Sequence, residues 1–255
     1  MALSNVKTNR RGNVQLGKTI MPVTLLVGQL IAMASIIPMV MYANLWQWFI
    51  CLLMYQLIVT IGISVGYHRY FSHKMFKCPT WFEYVMLFFA NIMMVGPATL
   101  WVANHREHHK YTDTDKDPHS PAHKGYFYAH FLQVFTTPKI KFMTDLLRDN
   151  KFKLQHKYFW EINLVWMLLL LAIDPFAIIY LWLAPAGISK LLGSLVYSYS
   201  HRGGEPHSDV WVGLVSGGEG FHKPHHDENK RSYRWHKYDI GGFFIEKLFY
   251  GKTKI

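Results

Sequence analysis

His105-Arg106-Glu107-His108-His109 is the stretch whose reading decides the fold. At about 100° per residue its three histidines fall on one face of a helix, so their imidazoles can converge on one point without distorting the backbone. Two companions flank it: His68-Arg69-Tyr70-Phe71-Ser72-His73 upstream, and His222-Lys223-Pro224-His225-His226 downstream, which repeats the i, i+3, i+4 spacing. Eight of the 15 histidines gather in these three groups, and together they read as a metal site. Each group alone is a weak signal. The competing reading, histidines scattered over a membrane interface, leaves the repeated spacing without a cause.

Groups that share one centre must lie on one side of anything the chain crosses. The chain of 255 residues is 51% hydrophobic and only 17% charged, a low charged share for a globular protein. No Asp, Glu, Lys or Arg occurs between Thr19 and His68. At 1.5 Å per residue that run is long enough to cross a hydrocarbon core of about 30 Å twice. It is too long for the apolar region of a signal peptide, and it leads directly into the first histidine group. Spans are expected at about 20–42 and 46–65, joined by Ala43-Asn44-Leu45, with Trp46 and Trp48 in an interfacial belt. Asp174-Pro175 divides a later apolar block into spans at about 158–173 and 176–196.

Trp81 to Val102 has the hydropathy of a further crossing, interrupted by Glu83, Asn91 and Pro97. One crossing there would strand the first two histidine groups on opposite sides of the bilayer. The stretch therefore reads as a buried or interfacial helix. The expected fold is an all-α integral membrane protein of four transmembrane helices in two hairpins, capped by a cytoplasmic helical domain that carries the histidines. It is a single domain over 1–255, with 1–19, 66–157 and 197–255 on the cytoplasmic side.

The formal net charge of +11 is concentrated at the N-terminus, in the histidine-rich segments and at the C-terminus. By the positive-inside rule those parts, both termini included, face the cytoplasm. Such a face suits anionic lipid headgroups, an acidic electron-transfer protein or a phosphate-bearing substrate; no nucleic-acid motif accompanies it. Met1 to Lys18 reads as a basic tail along the membrane. Tyr233 to Ile255 alternates aromatic and basic residues and is expected to pack on the cytoplasmic domain or the membrane surface. Cys51 and Cys78 give no disulfide framework.

His68 and His73 lie five residues apart, about 140° from each other on an α-helix, so the helix should end or bend near Phe71 if both reach one centre. Pro224 is tolerated in a first turn, which puts His222 at a helix start after the loosened backbone of Gly217, Gly218 and Gly220. The run Asp113-Thr114-Asp115-Lys116-Asp117 fails as a calcium loop, because Pro118 and Lys124 stand where Gly and Glu are required. A zinc-protease reading fails because Arg106, not Glu, follows His105. Glu107 and Glu219, then Asp113 and Asp117, are candidates to orient histidine ligands. His119, His123, His130, His156, His207 and His236 read as surface or packing residues. Eight clustered imidazoles exceed one four-coordinate zinc, which favours two metals, and imidazole suits zinc, copper, iron and nickel alike.

HRYFSH, HREHH and HKPHH, separated by hydrophobic hairpins, resemble the membrane fatty acyl desaturases. The resemblance is closest to the Δ9 acyl-CoA (stearoyl-CoA) branch and spans residues 46–245. It rests also on Gly66-Tyr67-His68-Arg69, on HHKYTDTDKDPH from His108 to His119, on Gly218-Glu219-Gly220-Phe221 and on Tyr233-Arg234-Trp235-His236. It implies two iron ions held by nine histidines, the ninth being His201. His68, His73, His105, His109 and His225 would hold one iron, and His108, His201, His222 and His226 the other, with zinc as an artefact of recombinant expression. No catalytic residue beyond these ligands is implied. The implied reaction uses O2, two electrons and two protons to remove two hydrogens from a saturated long acyl chain, at Δ9, in a bent apolar tunnel. Acyl-CoA is the favoured carrier, and electrons come from an external donor such as cytochrome b5 or a ferredoxin.

Three features depart from the family pattern. Tyr197 stands where an Asn usually helps hold a water on the second iron, Ala103-Asn104 replaces an Arg-Asp pair, and the segment from His226 to Tyr233 is short. Two other readings are a related diiron hydroxylase and a histidine-rich metal carrier. The carrier would line its spans with ionisable groups, which these spans almost lack.

Overall fold

The computed structural model describes residues 7–8, 14–15, 20–227 and 232–249. The basic tail expected over Met1 to Lys18 lies outside the described residues, save for the strands β1 (Lys7–Thr8) and β2 (Val14–Gln15), which pair antiparallel. The end of the C-terminal segment, beyond Phe249, lies outside them too. Everything else that is regular is helical.

Among the described residues, three helices are long and apolar enough to cross a membrane: α1 (Ile20–Tyr42), α2 (Leu45–Ser72) and α8 (Ile179–Gly204). Where the sequence predicts a fourth span at 158–173, the structure has α7 (Phe159–Ile173), an apolar helix of 15 residues. At 1.5 Å per residue that is about 22 Å, short of a hydrocarbon core of about 30 Å. The turn between α1 and α2 is fixed by a capping box. Asn44 Oδ1 accepts from the Gln47 N–H at 2.9 Å, and Gln47 Oε1 accepts from the Asn44 N–H at 3.0 Å. Val27, Leu30, Ile31, Val40, Leu52 and Leu168 project outward, an apolar surface that fits lipid and not water.

α1 and α8 run antiparallel. Ala184 shares a buried cluster with Met39 and Cys51, and three residues later Gly187 meets Ala32. A Cβ on Gly187 would collide with the Ala32 backbone, so only glycine permits this approach, in the manner of small-residue contacts between membrane helices.

The second half of α2, Ile58–Ser72, is wound as a π-helix. The His73 N–H bonds to the His68 carbonyl at 3.2 Å, an i→i−5 link. This wider winding brings residues five apart back to one side, so His68 and His73 face the same way. The helix ends at Ser72, one residue beyond the expected place, and needs no sharp bend.

The apolar run Trp81 to Val102 does not form one straight helix. It divides into α3 (Thr80–Ile92) and α4 (Ala98–Tyr111), and α3 packs along the π-wound segment of α2, burying Phe82, Met86, Leu87 and Ala90. The join is tied down by Gln155 of α6 (Asn150–Lys157). Its Oε1 accepts from the Ala98 N–H at 3.0 Å, and its Nε2 donates to Tyr67 Oη and Asn91 Oδ1 at 2.9 Å each. A short α5 (Pro121–Lys124) follows the polar loop, and α9 (Val210–Val215), α10 (His222–Asp227) and α11 (Ile240–Phe249) close the chain. α10 begins at His222, as the position of Pro224 predicts.

The contact between α1 and α8 makes a direct test. Gly187→Val forces the two backbones apart and should destabilise the detergent-solubilised protein by about 2 kcal/mol or more, measured by thermal or denaturant unfolding. Gly193→Ala, whose Cβ would meet Met93 Cε at an ordinary 3.8 Å, should stay within about 0.5 kcal/mol of the parent.

Candidate metal centre

The nine histidines converge as two sets. His68 and His73 from the end of α2, His105 and His109 from α4, and His225 from α10 bring ring nitrogens within 4.8 Å of one another. His108 of α4, His201 of α8, and His222 and His226 of α10 do the same within 4.8 Å. The three histidines of α4 therefore divide between the two sets. Contacts inside each set are short. His225 Nε2 lies 2.8 Å from His68 Nε2 and 2.9 Å from His109 Nε2, and His73 Nε2 lies 2.9 Å from His105 Nε2. His222 Nε2 lies 2.9 Å from His201 Nε2 and 3.0 Å from His226 Nε2.

One proton can be shared by two ring nitrogens but not by three, so His225 and His222 leave lone pairs converging without protons to satisfy them. Nitrogens about 3 Å apart match the edge of a coordination shell with metal–nitrogen bonds of about 2.1 Å. An all-imidazole set suits a first-row transition ion and not magnesium or calcium. Burial pushes His105, His222 and His225 well below the ordinary imidazole range, and neighbouring imidazoles push them further, which leaves them neutral and ready to act as ligands.

Four of the outward ring nitrogens are held by carboxylates or backbone. His108 Nδ1 meets Asp117 Oδ2 at 2.8 Å, His201 Nδ1 meets Asp113 Oδ2 at 2.7 Å, and His222 Nδ1 meets the Glu219 carbonyl at 3.1 Å. His68 Nδ1 pairs with the Glu219 carboxylate. These contacts place the proton on Nδ1 and aim Nε2 inward. Burial works against ionising Asp117, but the hydrogen bond and charge of His108 outweigh it and hold the carboxyl well below the usual carboxylate range. Of the four carboxylates singled out by sequence, Glu219, Asp113 and Asp117 touch histidines. Glu107 pairs instead with Lys139, because its place in α4 turns it away from the cluster.

Arg69 joins the first and third histidine groups. Fully buried, its guanidinium donates to Glu219 Oε1 at 2.8 Å and to both oxygens of Asp239 at 3.0 Å, and it stacks 3.8 Å from the centre of the Trp235 ring. Gly218, at φ 104°, makes room for Asp239, whose carboxylate a Cβ would strike.

His119 is the residue that spacing missed. It is 3% exposed, stacks on His108 at 4.7 Å, meets Tyr197 edge-on at 5.1 Å, and forms a third convergent group with His108 and Asp117. Burial pushes its imidazole down to about 3. The available signal was its position two residues after the orienting Asp117. The other lone histidines keep local partners: His130 with Ser198, His156 with Thr99, His123 with the Asp113 carbonyl, His207 with the Arg202 carbonyl, and His236 stacked on Phe221. A cavity of about 340 Å³ runs from Met21, Leu25 and Gln29 of α1, past Val59, Ile63, Trp101 and Tyr197, to His105, His108, His201 and His222. Trp101 stacks on His105 at 4.9 Å, so the cavity wall and the cluster share a contact.

Residues 43–239 match the family model described as Fatty acid desaturase. The chain is 29% identical over 221 residues to the Delta-9 desaturase-like 2 protein of Arabidopsis thaliana, covering 78% of this chain and 73% of that one. It is 27% identical over 218 residues to the sn-1 stearoyl-lipid 9-desaturase of Anabaena variabilis (78% and 79%). It is 30% identical over 210 residues to the sn-2 palmitoyl-lipid 9-desaturase of Nostoc sp. (strain 36) (74% and 73%).

Removing Arg69 leaves Asp239 and Glu219 buried without their cation. Arg69→Gln should cost about 3 to 5 kcal/mol in unfolding measurements. Acid should also weaken the metal-free protein. Unfolded imidazoles bind protons below a pH of about 6.5 while His105, His222 and His225 resist them, so stability should fall as pH drops below that value in a chelator-treated sample.

Proposed function

The chain belongs to the fatty acid desaturase family, and on that premise we propose that it inserts a Δ9 double bond into a saturated long-chain acyl substrate at a diiron centre. Membership makes it an enzyme, a fatty acyl desaturase. The observation that carries the finer reading is the pair of buried imidazole sets at one end of an apolar cavity. His68, His73, His105, His109 and His225 would hold one iron, and His108, His201, His222 and His226 the other. Bound there, the metal pair would supply O2-dependent oxidation, in which O2, two electrons and two protons would take two hydrogens from adjacent methylenes and leave one C=C bond and two waters.

The chain's own residues bind and orient. Leu25, Val59, Ile63 and Trp101 enclose the acyl chain and exclude water from it. Asp113, Asp117 and Glu219 keep the imidazole tautomers that present Nε2. Electrons arrive from an external carrier such as cytochrome b5 or a ferredoxin, and the net charge of +11 favours an acidic one. The histidine sets and both termini face the cytoplasm, following the basic bias of those segments, and α7 completes a second membrane hairpin with α8. The whole forms one domain. The relatives named for 9-desaturation of lipid-linked chains support the Δ9 position.

Expression in a desaturase-deficient host with a competent reductase should yield new Δ9 monounsaturated chains, read by mass spectrometry with double-bond location. Unchanged lipids from an iron-loaded, inserted protein would sink the assignment, and hydroxylated chains would favour the related hydroxylase. Metal analysis after iron-replete expression should return two irons per chain, with zinc replacing iron only in iron-poor preparations. Asp117→Asn should weaken metal retention about 10- to 100-fold in chelator competition.

A further inference from the structure

Lys190 lies within α8, eleven residues before His201, about 16 Å along the helix. At 2% exposure its ammonium does not reach solvent, as a snorkelling lysine would. Its Nζ donates to the His130 carbonyl at 2.6 Å. No ion pair among the described residues includes it. One carbonyl satisfies one of three ammonium protons, the Phe131 ring 5.9 Å away offers only a weak cation–π contact, and a buried cation with no anion beside it is unfavourable. Lys190 lines the cavity that leads to the histidine sets.

Gln29 lines the same cavity from α1. It is 1% exposed, and its Nε2 donates to the Met94 carbonyl at 2.9 Å, while its Oε1 has no partner. Because α1 and α8 are antiparallel, with Gly187 against Ala32, Lys190 comes level with Gln29, three residues further along one helix and three back along the other. At one level of a largely apolar cavity the chain thus presents a cation with spare donors and an amide oxygen with a spare acceptor.

We propose that Gln29 and Lys190 bind the head of a glycerolipid-linked acyl substrate, Lys190 taking an anionic phosphate oxygen and Gln29 a free hydroxyl. This names the carrier and rests on the desaturase reading. An acyl thioester has no anion beside its carbonyl, and a free fatty acid offers a carboxylate to Lys190 but no hydroxyl to Gln29. Anchoring the head here also fixes how much chain lies between the anchor and the histidine sets, so the pair helps to set which methylenes react.

The test uses the full-length, iron-loaded enzyme in lipid nanodiscs, supplied with O2, a competent reductase and its electron carrier, with distearoyl phosphatidylglycerol, stearic acid and stearoyl-CoA. Lys190→Met keeps the stem length and removes a buried charge, so it folds, and a melting curve checks this. It should raise KM for the phosphatidylglycerol about tenfold with a much smaller fall in kcat, and spread the double bond over neighbouring positions. Lys190→Arg should restore most of the affinity. Gln29→Leu should raise KM for the phosphatidylglycerol but not for stearic acid. Equal KM values for wild type and Lys190→Met, or a wild type that prefers stearoyl-CoA or stearic acid, overturn the proposal. A wild type that desaturates none of the three substrates sinks the desaturase reading instead. Native mass spectrometry then decides the site: phosphatidylglycerol retained by the wild type and lost in Lys190→Met upholds it, and equal retention removes it.

Discussion

The buried Arg69 guanidinium, clamped between Glu219 and Asp239, is the interaction on which the rest of the structure depends. A fully desolvated cation is tolerable only because two carboxylates and the Trp235 ring surround it. Those partners come from the far end of the chain, so the clamp joins the end of α2 to the segment that begins α10. Glu219 has a second task, since its other oxygen faces His68 Nδ1. The contact that satisfies a charge therefore also aims a metal-facing nitrogen. Glu219 stays ionised even though burial opposes it, because His68 and Arg69 hold its carboxyl below the ordinary range. Fold and site share one electrostatic network, and neither can be altered without the other.

The second constraint is helical winding. An α-helical Ile58–Ser72 would turn His68 and His73 to different sides, and one of them would miss the cluster. The π winding corrects this over a whole segment and not at a single kink, and it keeps backbone hydrogen bonds closed while doing so. That matters where α2 leaves the apolar region, because unpaired backbone groups there would have no water to turn to. Gly62 lets the α3 backbone lie against the same segment, so the wide helix is braced along its length.

How much was legible in the sequence follows from these two constraints. The convergence of three histidine groups could be read from spacing alone. That Trp81 to Val102 is not one long spanning helix was open to the same reasoning, since a crossing there would part the first two groups. The start of α10 at His222 was legible from Pro224. The π winding was not, since no local residue signal marks it; in the structure it goes with close packing against α3. The orienting role of Asp113 and Asp117 over Glu107 depends on how the loop after α4 folds back, which periodicity does not describe. His119 was hidden for the same reason, and so was the placing of Lys190 opposite Gln29, which requires the antiparallel pairing of α1 with α8.

α4 shows why the site and the cavity cannot drift apart. His105 and His109 differ by about 40° around the helix, while His108 lies about 60° from His105 and about 100° from His109, so all three share a broad face and the first two can meet one set while the third meets the other. One turn before His105 the same face presents Trp101, which stacks on His105 and walls the cavity. A side chain that walls the cavity and side chains that serve both imidazole sets are thus carried on one continuous backbone. The spacing between the cavity wall and the imidazole sets is then held by helix geometry, with the loop after α4 orienting His108 and His201. That rigidity is what selective attack on one methylene pair among many equivalent ones requires.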